Sequence, residues 1–260
     1  MMMPDVPEWA LWPWWLPSVL ALAFGLAALA PLGQQVLQRG VVFIDLAVAQ
    51  AAAAAALWWA WWQDHPGPWS VRGAALVGAL LAAAWVSQLA RRHPAHREAL
   101  IGLVYVLGAA LAVLGASQAP HGREHLSALL AADVLWADWP QVGWLAALAI
   151  GSQCWQRWST GRAMGVGSDA VFYAWFAVVA SLTVGMLGLW LVFAGLIVPA
   201  RLLALNWRTW WVASATLAVG SVGLVVSGVF DWPSGACVMA ALAVLGLLAR
   251  PWGGCRQKTS

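Results

Sequence analysis

The chain has 260 residues, 63% of them hydrophobic and only 9% charged, with a formal net charge of +3. A soluble domain carries about 25% charged residues, so a chain this poor in charge has no material for a water-facing surface. Its basic residues, 12 Arg and one Lys scattered from end to end, also exclude a nucleic-acid footprint, which needs them gathered on one face.

Residues 1–15 contain no Lys or Arg but do contain Asp5 and Glu8. A secretory signal needs a positive start, so the apolar run that follows is read as a first membrane span. A helix needs roughly 20 apolar residues to cross hydrocarbon. Runs of that kind predict spans at about 14–33, 41–62, 71–90, 98–117, 140–156, 170–187, 189–205, 208–230 and 233–250. The expected architecture is an all-α polytopic membrane protein of about nine transmembrane helices, one membrane domain over residues 1–260. The sixth and seventh spans share one uncharged stretch, 170–200, in which Gly185 and Gly188 offer a turn. Eight spans plus a re-entrant piece is the alternative there. The run Ala51–Ala56 inside the second span is read as packing, because small residues let helices approach closely.

The charges test this threading. Nine crossings put Arg39, Arg91, Arg92, Arg97, Arg157, Arg162, Arg201, Arg208, Arg250, Arg256 and Lys258 on one side, and only Arg72 and Arg123 on the other, 11 against 2. The positive-inside rule makes the first side cytoplasmic, with the N-terminus outside and the C-terminus in the cytoplasm. Most of the acids in the connections fall outside. Many of the 22 Trp sit at span ends, such as Trp58, Trp59, Trp61 and Trp62, as an interfacial aromatic belt would. Cys154, Cys237 and Cys255 have no CxxC spacing and are read as ordinary residues without a metal or disulfide role. There is no Walker motif, GxSxG or HExxH, so the chain is not expected to be an enzyme.

Two groups of residues carry possible chemistry. Asp45, followed by Gln50, lies a few positions inside the cytoplasmic end of the second span. A carboxylate at membrane depth is costly and faces a bundle interior or a wet path. It reads either as a cation contact on a transport route, or as a structural acid that pairs with Arg39 or caps a helix start. The external connection, roughly 118–139, carries His121, Glu124 and His125, whose i, i+3, i+4 spacing brings metal-ligand types together on a helix. A plain solvated loop is the competing reading. The stretch His125–Leu135 alternates like a short amphipathic helix. His93 and His96, beside three Arg, read as cytoplasmic surface. Residues 156–169 form a cytoplasmic connection of basic, small and glycine residues, with Arg157, Arg162, Ala163, Gly165 and Gly167. It is either a short helix that docks a soluble partner or a plain connector.

Five blocks in order resemble the permease subunits of bacterial ATP-binding-cassette importers for zinc and manganese. Arg39-Gly-Val-Val-Phe-Ile-Asp45 is similar to that family's Arg-Met-x-x-Phe-Gly-Asp segment, and Glu98-Ala-Leu-Ile-Gly-Leu-Val-Tyr105 to a block of one branch. His121 to Trp136 resembles the external segment ending Gly-Asp-x-Leu. Phe193-Ala-Gly-Leu-Ile-Val-Pro199-Ala and Asp231-Trp-Pro233-Ser-Gly235 resemble two late signatures, shared with cobalamin and siderophore permeases. The resemblance implies a homodimeric inner-membrane pore that passes Zn²⁺ or Mn²⁺, zinc above all, without holding a tight cofactor. It implies a cytoplasmic ATP-binding subunit, and an external metal-binding protein that delivers the ion. On it, Asp45 and Gln50 line the ion path, and the loop Gln156–Asp169 becomes the helix that couples to the ATPase. One position departs: the family commonly has His four residues after its Asp, and here that residue is Ala49, which removes a borderline-soft nitrogen ligand. A rival reading, a haem-handling or cytochrome-assembly membrane protein, rests on the Trp content around Trp136–Trp139 near the external histidines.

Overall fold

The computed structural model describes residues 15–63, 67–118, 126, 133–159 and 166–250, with only the backbone described at Ser159 and residues 166–168. Among the described residues there is no strand. Nine helices follow in order: α1 (Leu16–Arg39), α2 (Ile44–Trp62), α3 (Pro68–Arg92), α4 (Arg97–Gln118), α5 (Trp139–Ser159), α6 (Val166–Leu187), α7 (Leu189–Ala204), α8 (Thr209–Phe230) and α9 (Ser234–Leu248). Six of them, α1, α2, α3, α4, α6 and α8, are long and apolar enough to cross a membrane. The helices α7 and α9 are apolar but shorter, at 16 and 15 residues.

The helix α5 has the length but not the uniform apolarity, and its neighbours explain why. Pro31 lies inside α1, where its ring denies Ala27 the hydrogen bond a helix would give its carbonyl. Gln153 of α5 supplies it, donating from Nε2 to the Ala27 carbonyl at 3.1 Å. One turn on, Gln156 Nε2 donates to Gln34 Oε1 at 3.1 Å. Two of the glutamines that lower the hydropathy of α5 thus bond to α1.

The turn between α6 and α7 falls at Gly188, with φ 79° and ψ 155°, a backbone region essentially reserved for glycine. Gly185 stays inside α6. Residues 170–200 are thus divided between two helices, and the turn falls at one of the two candidate glycines. The alanine run behaves as packing. Ala52, Ala53 and Ala54 are buried, and a Cβ at Gly78 of α3 would lie 2.7 Å from the Ala51 carbonyl. On the other flank of α2, a Cβ at Gly108 of α4 would lie 3.2 Å from the Ala51 nitrogen.

Helices α2, α3 and α4 pack as one group, and α1 packs on α5, α7 and α8, with α9 against α7 and α8. The helix α6 touches both groups, through α3 and α2 on one side and α1 on the other. The contacts also fix directions. Gly25 of α1 meets Leu187, at the turn into α7, and Gly33 meets Leu196 within α7, so α1 and α7 run parallel. Residues 27 and 34 of α1 meet 153 and 156 of α5 likewise. Gly108 and Gly115 of α4 meet Gln50 and Leu57 of α2 in order too. The helix ends therefore sort into two sets. One end of the bundle holds Arg39, Arg91, Arg92, Arg97, Arg157, Arg201, Arg208 and Arg250. The other holds Arg72 among the described residues. Broad apolar faces remain uncovered, including Leu103, Val106, Leu107 and Leu111 on α4 and Val222, Val225 and Val229 on α8. Exposed Trp15, Trp62, Trp69, Trp136 and Trp232 stand at helix ends.

Candidate functional site

Asp45 occupies the first turn of α2 and is only 1% exposed. Neither carboxylate oxygen has a hydrogen-bond partner. The free N–H groups of that first turn, at Asp45 and Leu46, lie toward the carboxylate without reaching hydrogen-bond geometry. Arg39, the partner weighed from sequence, does not pair with it. Its guanidinium Nε donates to Asp169 Oδ1 at 3.3 Å, and its plane sits 4.0 Å above the Phe172 ring. Asp45 is thus not ion-paired to Arg39.

The connection from α1 to Asp45 is stiff. Gly40 ends α1 in the left-handed region at φ 60°, the usual way to close a helix. The amides of Gly40 and Val41 bond back to the carbonyls of Leu37 and Val36. The Arg97 guanidinium lies over Gly40, and Glu98 Oε1 accepts from the Val42 N–H at 2.9 Å. Val41 and Ile44 are buried. The Arg39–Asp45 segment is therefore braced from α4 through Arg97 and Glu98, and from α6 through Asp169 and Phe172.

Gln50 is also buried, at 7%, and packs beside Gly108 of α4. Five residues along a helix, however, turn the side-chain direction by about 140° and rise about 7.5 Å, so α2 alone does not bring Gln50 to Asp45. Ala49, four residues on, shares the face of Asp45 and is buried. Of the external candidates, His121, Glu124 and His125 lie outside the described residues, as do Arg162, Ala163 and Gly165. Arg157 sits in the last turn of α5, and Gly167 falls in the first turn of α6. Among the described residues no three of His, Cys, Asp and Glu come together to hold a metal. His93 and His96 are exposed, as expected of surface.

A second cluster, at the opposite end of the bundle, was not foreseen. Asp133 Oδ1 accepts from Ser234 Oγ at 2.6 Å and from the Leu135 N–H at 3.2 Å. The Leu135 carbonyl accepts from Ser18 Oγ at 2.7 Å. This network ties the Val134–Trp136 turn to the starts of α1 and α9. Asp133 and Ser234 belong to two of the sequence blocks noted above, so those blocks marked the network without revealing that they meet.

No family model matches the chain, and no curated protein matches it. Among solved structures it is similar to PsaBC from Streptococcus pneumoniae, determined in complex with a Fab, at 20% identity over 89% of this chain and 88% of that one, with a TM-score of 0.67. The similarity establishes that the two chains share a fold.

Proposed function

We propose that this chain is the membrane-spanning permease subunit of an ATP-binding-cassette importer for a divalent metal ion. The observation that carries the reading is Asp45. It is a buried carboxylate, in one of the five blocks that resemble the metal-importer permeases, and neither of its oxygens has a hydrogen-bond partner. Buried acids without partners are costly and occur where a function needs them. A passing cation is the partner that the resemblance supplies. Expectation of zinc comes from that resemblance. The donor at this depth is a hard carboxylate oxygen with no imidazole at Ala49, and it suits Mn²⁺ at least as well.

On this reading all nine helices cross the inner membrane. The Arg-rich end faces the cytoplasm, the N-terminus lies outside and the C-terminus inside. Two copies enclose the path. A cytoplasmic ATP-binding subunit docks near residues 156–169, and an external binding protein loads the ion. Labelling of single cysteines placed in intact cells checks the threading. A cysteine beside Asp231 is expected to react with an impermeant maleimide, and one beside Arg208 only after lysis; equal reactivity at both would defeat the orientation. The function itself is tested by reconstituting the chain with its cognate ATP-binding subunit, and following ⁵⁴Mn²⁺ and ⁶⁵Zn²⁺ into proteoliposomes. ATP-dependent accumulation of either is the expected result. Accumulation of neither, with the ATPase active, would overturn the proposal.

A further inference from the structure

We infer that Arg39 is the positioning residue that carries motion of the ATPase-facing loop to Asp45. The inference rests on the proposed function and adds to it a physical route.

The route can be followed atom by atom. Asp169 stands in the first turn of α6, directly after the 156–165 connection. Its Oδ1 accepts from Arg39 Nε at 3.3 Å, with side-chain exposures of 35% for Asp169 and 13% for Arg39. Phe172, fully buried, lies 4.0 Å beneath the same guanidinium. Tyr173 is buried beside Phe172, ring to ring at 5.5 Å, within the fields of Asp169, Arg39, Arg97 and Arg91. Arg39 Nη1 also donates to Gln35 Oε1 at 3.2 Å, on its own helix. The guanidinium is therefore held by α6 on two sides and by α1 on a third.

From Arg39 the chain reaches Asp45 in six residues, through the left-handed Gly40 and the buried Val41 and Ile44. Two groups of α4 hold this turn from the far side, Arg97 over Gly40 and Glu98 on the Val42 N–H. A segment this short and this fixed cannot absorb a displacement of Arg39 by bending. A shift of the α6 start must either drag Arg39, and with it the Asp45 carboxylate, or break the ion pair. A surface ion pair would contribute little. This one is half-shielded and stacked on an aromatic face, where charge interactions are less screened. It joins elements 130 residues apart, which a local stabilising contact has no need to do.

The test uses the full-length chain reconstituted with its ATP-binding subunit, with ⁵⁴Mn²⁺ and ⁶⁵Zn²⁺ as probes, and reads ions moved per ATP hydrolysed. Arg39→Ala and Asp169→Ala are expected to lower that ratio by about fivefold or more, the ordinary size of a coupling between sites. The double exchange Arg39→Asp/Asp169→Arg is expected to recover at least part of it, because the pair and not either charge carries the link. Arg39→Gln and Asp169→Asn, which keep much of the shape but remove the charge, replace the alanine variants if those do not accumulate in the membrane. A ratio unchanged in the single variants overturns the inference. So does a transport loss matched by an equal loss of hydrolysis, or a double exchange no better than either single variant. If the wild-type chain moves neither metal, the proposed function fails first; if it moves metal and the variants keep its ratio, only the role of Arg39 falls.

Discussion

Asp45→Asn is expected to cut ATP-dependent metal uptake by about tenfold or more while leaving the protein at least as stable as the wild type. The first half follows from chemistry. A carboxylate oxygen is a far better ligand for a hard divalent cation than an amide, and loss even of a ligand-supporting group costs about 10–100-fold in metal affinity. The second half follows from the geometry. Both carboxylate oxygens are buried without a partner, and an unsatisfied buried polar group costs on the order of 1–3 kcal/mol, more when charged. Replacing it with a neutral isostere removes part of that cost and breaks no hydrogen bond.

The pairing of outcomes separates the two readings of this acid. A structural acid, capping α2 or neutralising a neighbour, would lose stability and transport together on substitution. An ion-path acid loses transport and keeps or gains stability. Thermal unfolding of the purified variant, set beside uptake of ⁵⁴Mn²⁺ and ⁶⁵Zn²⁺, reads both quantities. A clear drop in the unfolding temperature with proportionate loss of uptake would reassign Asp45 to the scaffold.

The helices were legible because each rests on a local property, a run of largely uncharged residues, and six of those described are long and apolar enough to cross a membrane. The sidedness of the arginines was legible too, and the helix directions read from inter-helix contacts gather the same residues at one end. What escaped the sequence is what depends on which helices touch. Arg39 stands six residues before Asp45 and looked like its natural partner, but the fold brings the start of α6 closer to the guanidinium. The Gln153 side chain that takes up the Ala27 carbonyl freed by Pro31 lies on α5, 126 residues away from Ala27. Gly185 and Gly188 were equivalent on paper. Only Gly188 takes a positive φ, and the difference lies in how α7 must turn to lie against α1.

Gly33 is expected to tolerate no side chain at all. A Cβ there would fall on the backbone carbonyl oxygen of Leu196, and 2.7 Å from its carbon. The obstacle is main chain, so no rotamer change relieves it; α1 and α7 would have to separate. Between membrane helices there is no strong hydrophobic drive to offset a lost fit, and close van der Waals packing of small residues carries much of the association. Gly33→Ala is therefore placed at or beyond the usual overpacking cost of about 1–3 kcal/mol, a fall of roughly 5–10 °C in unfolding midpoint. Gly33→Val should fail to accumulate. The controls are Gly73→Ala and Gly185→Ala, where an added Cβ meets nothing within 4 Å. Both lie inside helices, so alanine there is expected to be neutral or to stabilise by about 0.5–1 kcal/mol. Unfolding followed by tryptophan fluorescence in detergent compares the three. Equal midpoints for Gly33→Ala and the controls would mean that α1 and α7 do not cross at Leu196. The route from Arg39 to Asp45 would then lose its rigid frame, because α1 anchors one end of it and α7 is among the helices that hold α1 in place.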